Sequence, residues 1–130
     1  ATLTLPWERR IRSRLRVVLD NGAEAGLFLQ RGTVLRDGDL LAGEDGDVVR
    51  VVAADETLST VIGADALALA RACYHLGNRH TPVEIGEGRI RYRHDPVLDE
   101  MVQGLGLAVR IDRAPFQPEA GAYGGHHHHD

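Results

Sequence analysis

The sequence predicts two domains and a tail: an all-β module, sandwich-like or barrel-like, over residues 1–57, an α+β ferredoxin-like domain over residues 58–114, and a flexible histidine-containing tail over residues 115–130. Three observations carry that prediction. Up to about residue 60, turn-forming residues recur every eight to ten positions with short apolar runs between them. Beyond that point the patterns fall in the order β-α-β-β-α-β, which is the ferredoxin-like order. From Ala114 onward Pro, Gly, Ala and Glu take over and periodicity is lost, as in a mobile tail.

The elements follow in chain order. Arg10, Arg12, Arg14 and Arg16 alternate with Ile11, Ser13, Leu15 and Val17, the period of a half-buried strand ending at Val18. Asp20-Asn21-Gly22 supplies a turn, because Asn and Gly tolerate positive φ. Residues 26–30 (GLFLQ) form a second strand, Leu40-Leu41 is followed by the turn Glu44-Asp45-Gly46, and residues 47–54 (DVVRVVAA) form a buried strand. Leu58–Ile62 opens the second domain as a strand. Asp65 caps a helix whose Ala66, Leu69, Ala70 and Cys73 share one face. Pro82–Ile85 and Arg89–Tyr92 make a hairpin across Gly86-Glu87-Gly88. Asp95-Pro96 starts a second helix with a cap and a first-turn proline, and Val97, Leu98, Met101, Val102 and Leu105 trace its amphipathic course. Ala108–Ile111 is the last strand.

Composition narrows the function. Hydrophobic residues are 43% of the chain but aromatics only 5%, so the cores are aliphatic. The net charge is −4 and all 15 basic residues are arginine, a balance that argues against non-specific nucleic-acid binding. An RNA-binding reading also lacks stacking aromatics on the predicted strands, where only Tyr92 qualifies. One cysteine excludes an internal disulfide framework and suits a reducing compartment. No apolar run reaches the roughly 18–20 residues that span a bilayer, and the first residues lack a signal-peptide core. The expectation is a soluble, cytoplasmic protein without membrane contact. With no phosphate-binding loop, no catalytic carboxylate pair and no Ser/His/Asp or Cys/His arrangement, it is not expected to be an enzyme.

The chemistry centres on residues 73–82, CYHLGNRHTP. Gly77-Asn78 is expected to stop the helix, since Gly reaches the left-handed conformation without steric cost. His80 then falls on a short loop that Pro82 pushes toward extended backbone. His75 is expected in the last turn, partly buried, and His94 just before the second helix, exposed. Cys73 reads as packing. One loop imidazole does not hold a metal tightly, and neutral imidazole suits nickel, copper and zinc alike. The run His126, His127, His128, His129 has two readings: a native metal-binding tract, or a purification tag. Four histidines rather than six, a terminal Asp130 and a natural-looking Gly-Ala-Tyr-Gly-Gly spacer favour the native reading. The arginine ladder is either a solvated strand face or a docking face for an acidic partner segment.

HLGNRH at residues 75–80 followed by Pro82, RYRHDPVLDEM at 91–101 and PFQPEAGAYGGHHHH at 115–129 closely resemble the urease accessory protein E family, the nickel metallochaperones. RGTVLRDGDLL and EDGDVVRVVAADE resemble that family's N-terminal β domain, so the resemblance covers nearly the whole chain. It implies a homodimer built through the ferredoxin-like domains, in which His80 from each protomer faces one Ni²⁺ and His126–His129 complete the shell; Zn²⁺ or Cu²⁺ can substitute. His75 is implied as secondary. His94 matches a histidine of an accessory site, but Pro96 stands where some members carry the second histidine of that site. The implied partners are apo-urease and the other urease accessory proteins, including the GTPase. An N-terminal partner-docking module favours the docking reading of Arg10, Arg12, Arg14 and Arg16. The alternative is a peptide-docking module whose histidine run is an artefact.

Overall fold

The computed structural model describes residues 1–63 and 65–121; the histidine run lies outside the described residues. The chain divides into two compact units, Ala1–Asp55 and Glu56–Asp130.

The first unit holds β1 (Thr2–Leu5), α1 (Trp7–Arg10), β2 (Arg14–Val18), β3 (Glu24–Phe28), β4 (Leu40–Ala42) and β5 (Val48–Ala53). A three-stranded sheet runs in the order β1-β5-β4, with β1 and β5 parallel and β4 and β5 antiparallel. β2 and β3 form a separate antiparallel hairpin. Its turn is the expected one: Gly22 has φ 91°, and the Asn21 side chain accepts from Ala23 N at 2.9 Å. Leu3, Leu5, Val17, Leu35 and Val51 are buried together, an aliphatic core as the composition requires.

Three features differ from the sequence expectation. β1 and α1, each only four residues long and too short to show a period, add a strand and a helical turn to the module the sequence predicts as all-β. Arg10 is not on the strand. It ends α1, which begins after Pro6, and is 1% exposed. Its guanidinium donates to Leu5 O and Leu35 O, both at 3.1 Å, so a charge that period-2 counting placed in solvent instead bonds backbone carbonyls in the interior. β3 begins at Glu24 rather than Gly26, since the tight turn sets the register and pairs Val18 with Glu24.

The second unit contains β6 (Asp55–Ile62), α2 (Ala66–Asn78), β7 (Glu84–Gly86), β8 (Arg89–Arg93), α3 (Pro96–Gly104) and β9 (Arg110–Pro115). The order is β-α-β-β-α-β, in one four-stranded sheet ordered β7-β8-β6-β9. Ala72 and Leu76 of α2 and Val102 of α3 share a core with Val61, Ile90 and Tyr92 of the strands, so both helices cover the same sheet face. The opposite face carries a charged ladder: Glu84 meets Arg89 at 3.1 Å and Arg91 at 3.6 Å, and Arg91 meets Asp112 at 3.8 Å. Among the described residues no helix is long and apolar enough to cross a membrane.

The caps are as the sequence implies. Asp65 accepts from Ala68 N at 2.7 Å, and Asp95 from Val97 N and Leu98 N at 2.8 and 3.3 Å. Two boundaries move. α2 passes through Gly77-Asn78, and the left-handed residue is His80 (φ 57°). Nor does the chain loosen at residue 115. Phe116 is fully buried, Gln117 N donates to Glu84 Oε1 at 2.9 Å, and Glu119 N donates to Val83 O at 2.7 Å. One buried aromatic ring outweighs a Pro- and Gly-rich composition locally.

Candidate metal site

His80 owes its place to the way α2 ends. Thr81 N donates to Leu76 O at 3.1 Å and His80 N to Gly77 O at 2.9 Å, the paired bonds of a Schellman motif with His80 in the left-handed position. A histidine there is less costly than a β-branched residue but costlier than glycine. Leu76, fully buried, anchors the motif, and Pro82 directs the chain onward.

The second histidine arrives from the sheet. His94 follows β8, and its backbone N–H donates to Thr57 O on β6 at 3.0 Å. His80, Thr81, Pro82, Arg93, His94, Asp95 and Leu98 line one cavity of about 390 Å³. The fold therefore brings together two of the candidate ligands, His80 and His94. His75 is not among the lining residues. It is exposed rather than partly buried, and its ring meets Tyr74 edge-on at 5.3 Å. His126, His127, His128 and His129 lie outside the described residues. Cys73 is half-buried against the core, and burial pushes its thiol pKa up, away from the thiolate a metal would need.

His94 is less exposed than its position before a helix suggested, because a polar cluster behind it holds the ring. Its Nδ1 lies 3.0 Å from Asp99 Oδ2 and 3.2 Å from Ser59 Oγ. Asp99 Oδ1 accepts from Ser59 Oγ at 2.6 Å and from the Tyr92 hydroxyl at 2.7 Å. Burial, reinforced by the Asp99 carboxylate, holds the Tyr92 hydroxyl protonated well above its ordinary range. Sequence reading passes over Ser59 and Asp99 and takes Tyr92 only as a stacking ring. The available signal was Asp99, an acid one helical turn after the cap Asp95 that sits among Leu98, Met101 and Val102.

Two imidazoles suit nickel, copper or zinc but leave a coordination shell incomplete. Among the described residues, no group of three or more His, Cys, Asp or Glu is placed to hold a metal ion.

In the first unit the arginine ladder separates. Arg10 is interior. Arg12 and Arg14 line a cavity of about 650 Å³ with Ile11, Ser13, Leu29 and Arg31, the last of which the strand pattern did not include. Arg14 also lies over the Phe28 ring at 5.8 Å. Arg16 faces Glu24 across the hairpin at 3.9 Å, an exposed pair that contributes little stability.

Residues 56–130 match the family model for the UreE urease accessory protein, C-terminal domain, and residues 1–54 that for its N-terminal domain. Among curated proteins, a urease accessory protein UreE of Alkalilimnicola ehrlichii is 63% identical over 125 residues, covering 96% of this chain and 77% of that protein. One from Vibrio parahaemolyticus is 57% identical over 133 residues, covering 96% and 84%. Another, from Burkholderia thailandensis, is 57% identical over 128 residues, covering 98% of this chain and 60% of its own length.

Proposed function

The chain belongs to the UreE family of urease accessory proteins and is not an enzyme, and from that premise we propose that it binds Ni²⁺ and delivers it to apo-urease during assembly of the urease metal centre. The observation that carries the reading is the cavity shared by His80 and His94, with His80 fixed at the end of α2. Two imidazoles are too few for a tight site, and a two-fold axis beside His80 doubles them. The second unit, a ferredoxin-like fold by its strand order, is then the dimerisation domain. His80 of each protomer holds the ion, His126–His129 complete the shell, and His94 and His75 are auxiliary. Zn²⁺ and Cu²⁺ compete for the same nitrogens. Only neutral imidazole coordinates, so the hold on nickel weakens in acid.

The first unit serves as the partner module. The cavity of Arg12, Arg14 and Arg31 favours an acidic segment; Arg16 pairs with Glu24 on the hairpin, and Arg10 bonds backbone carbonyls in the interior. Apo-urease and the other accessory proteins, including the GTPase, are the partners in this reading, and the compartment is the cytoplasm.

The test is nickel stoichiometry by equilibrium dialysis on the full chain with His126–His129 replaced by alanine. About one tight site per dimer, lost on His80→Ala, is the expected outcome. If the tail replacement alone abolishes tight binding, His80 is no independent anchor and the proposal falls.

A further inference from the structure

The cluster behind His94 has a proton count that fixes its chemistry. An ionised carboxylate only accepts hydrogen bonds, whereas Ser59 and Tyr92 have one hydroxyl proton each. Both protons are directed at Asp99 Oδ1, over 2.6 and 2.7 Å. Neither hydroxyl has a second proton for His94. Nδ1 of His94 therefore faces two oxygens with nothing left to donate to it, Asp99 Oδ2 at 3.0 Å and Ser59 Oγ at 3.2 Å. The contacts are satisfied only if Nδ1 carries the hydrogen. Two hydroxyl donors on Oδ1 are the pattern of a carboxylate that only accepts, which leaves the hydrogen of the Oδ2–Nδ1 contact on the imidazole. A neutral His94 thus has its lone pair on Nε2, the nitrogen away from the cluster.

The surroundings make this assignment rigid. Ser59 and Tyr92 are 0% exposed and Asp99 is 9% exposed. Ser59 and Tyr92 face each other in the register of β6 and β8, and Asp99 comes from α3. Three elements converge on one carboxylate that has no packing role an apolar side chain would not fill better. Burying it costs free energy, which its three donors offset. Its outward product is one oriented ring at the wall of the cavity that also contains His80.

We propose that Asp99, seated on Ser59 and Tyr92, is a positioning residue that sets His94 as an Nε2 ligand for a divalent metal ion in the His80 cavity. This rests on the metal-binding reading above and adds the group that selects the nitrogen. A carboxylate behind a ligand histidine fixes the tautomer and the ring plane and makes the free nitrogen a better donor. The ordering entropy of the ring is then lost during folding rather than on metal capture.

The first measurement is the ring tautomer in the unsubstituted full chain, labelled with ¹⁵N, at pH 8 and without metal. Long-range ¹H–¹⁵N correlations distinguish the two tautomers, and His94→Gln identifies the His94 signals. The proposal expects the Nδ1–H form. An Nε2–H form overturns it with no variant required.

The second is nickel affinity, by competition with a chromophoric chelator, in the full chain whose four tail histidines are alanine. Asp99→Asn is expected to weaken binding about 10–100-fold while redistributing the His94 tautomers. Affinity within two-fold of the parent overturns the proposal, as does lost affinity with the tautomer unchanged, which marks a merely structural effect. His80→Ala separates the two levels. If it abolishes binding while His94→Gln and Asp99→Asn leave binding intact, the chaperone reading stands and the role of Asp99 falls. A parent that binds no nickel sinks both.

Discussion

Replacing His80 by glycine and by alanine separates its two roles. Both substitutions remove the imidazole. Only glycine removes the steric cost of the left-handed backbone, where a side chain sits at φ 57°. That cost is about 1–2 kcal/mol for an ordinary residue. Glycine gives back about 0.4–1 kcal/mol through the greater freedom of its unfolded chain. His80 is exposed, so neither variant forfeits buried contacts. His80→Gly should therefore be more stable than His80→Ala by about 0.5–1 kcal/mol. In a unit as small as residues 56–130, 1 kcal/mol corresponds to about 4–8 °C in the melting midpoint. The assay is thermal unfolding of both metal-free proteins by circular dichroism, with nickel dialysis on the same preparations. The expected pattern is equal loss of nickel and a higher midpoint for glycine. Equal midpoints would remove the argument that α2 ends on a strained His80. Unequal nickel binding would show that the alanine effect was a backbone effect and that the imidazole was not the ligand.

Three further outcomes follow from buried or bonded groups. Arg10→Met keeps the aliphatic stem but strands the Leu35 carbonyl, while Leu5 O keeps its bond from Ala54 N at 2.9 Å, and should cost about 1–3 kcal/mol in urea unfolding; a change under 0.5 kcal/mol would refute the interior role. Hydrogen bonds from Thr2 and then Thr4 hold the Asp20 carboxyl below its ordinary 3.8, so their stabilisation is present above that pH and fades as pH falls through the lowered value. The single tryptophan, Trp7, reports the first unit, and Asp20→Asn should narrow the gap between its unfolding midpoints at pH 7 and pH 3. Tyr92 has the opposite sign: burial and Asp99 raise its pKa, so its contribution is whole below pH 10.0 and declines as pH climbs past it. Tyr92→Phe should flatten that alkaline decline, leaving the share of Cys73, which begins near pH 9.0; an unchanged alkaline limb counts against the Tyr92–Asp99 bond.

Most of the second unit was legible because local and global signals agree there. Asp65 and Asp95-Pro96 mark helix starts by their own side-chain chemistry, and the apolar positions of α2 and α3 keep helical spacing. What escaped depends on partners distant in sequence. Arg10 counts as a ladder member until Leu35 comes close enough to accept from it. Gly77-Asn78 reads as a stop because glycine tolerates left-handed backbone, yet the fold carries α2 onward and puts His80 in that conformation. Phe116 looks like part of a tail until the core receives it. Of the site, His80 and His94 were visible as residues but not as neighbours, and Asp99 became visible only once β6, β8 and α3 had met.

The pairing of β1 with β5 sets the order in which the first unit assembles. The β2–β3 hairpin closes a short loop between Val18 and Glu24, whereas the parallel pair must join Thr2 to Arg50. Loop-closure entropy makes the long connection costlier by about 2 kcal/mol, so the hairpin forms early and β1 docks late. Leu3 and Val51, paired and fully buried, are then sealed in the last step. Substitutions at the Asn21-Gly22 turn should slow refolding. A truncation at Leu3 should leave the refolding rate nearly unchanged and accelerate unfolding, which makes the first strand the latch that governs how long the unit stays closed.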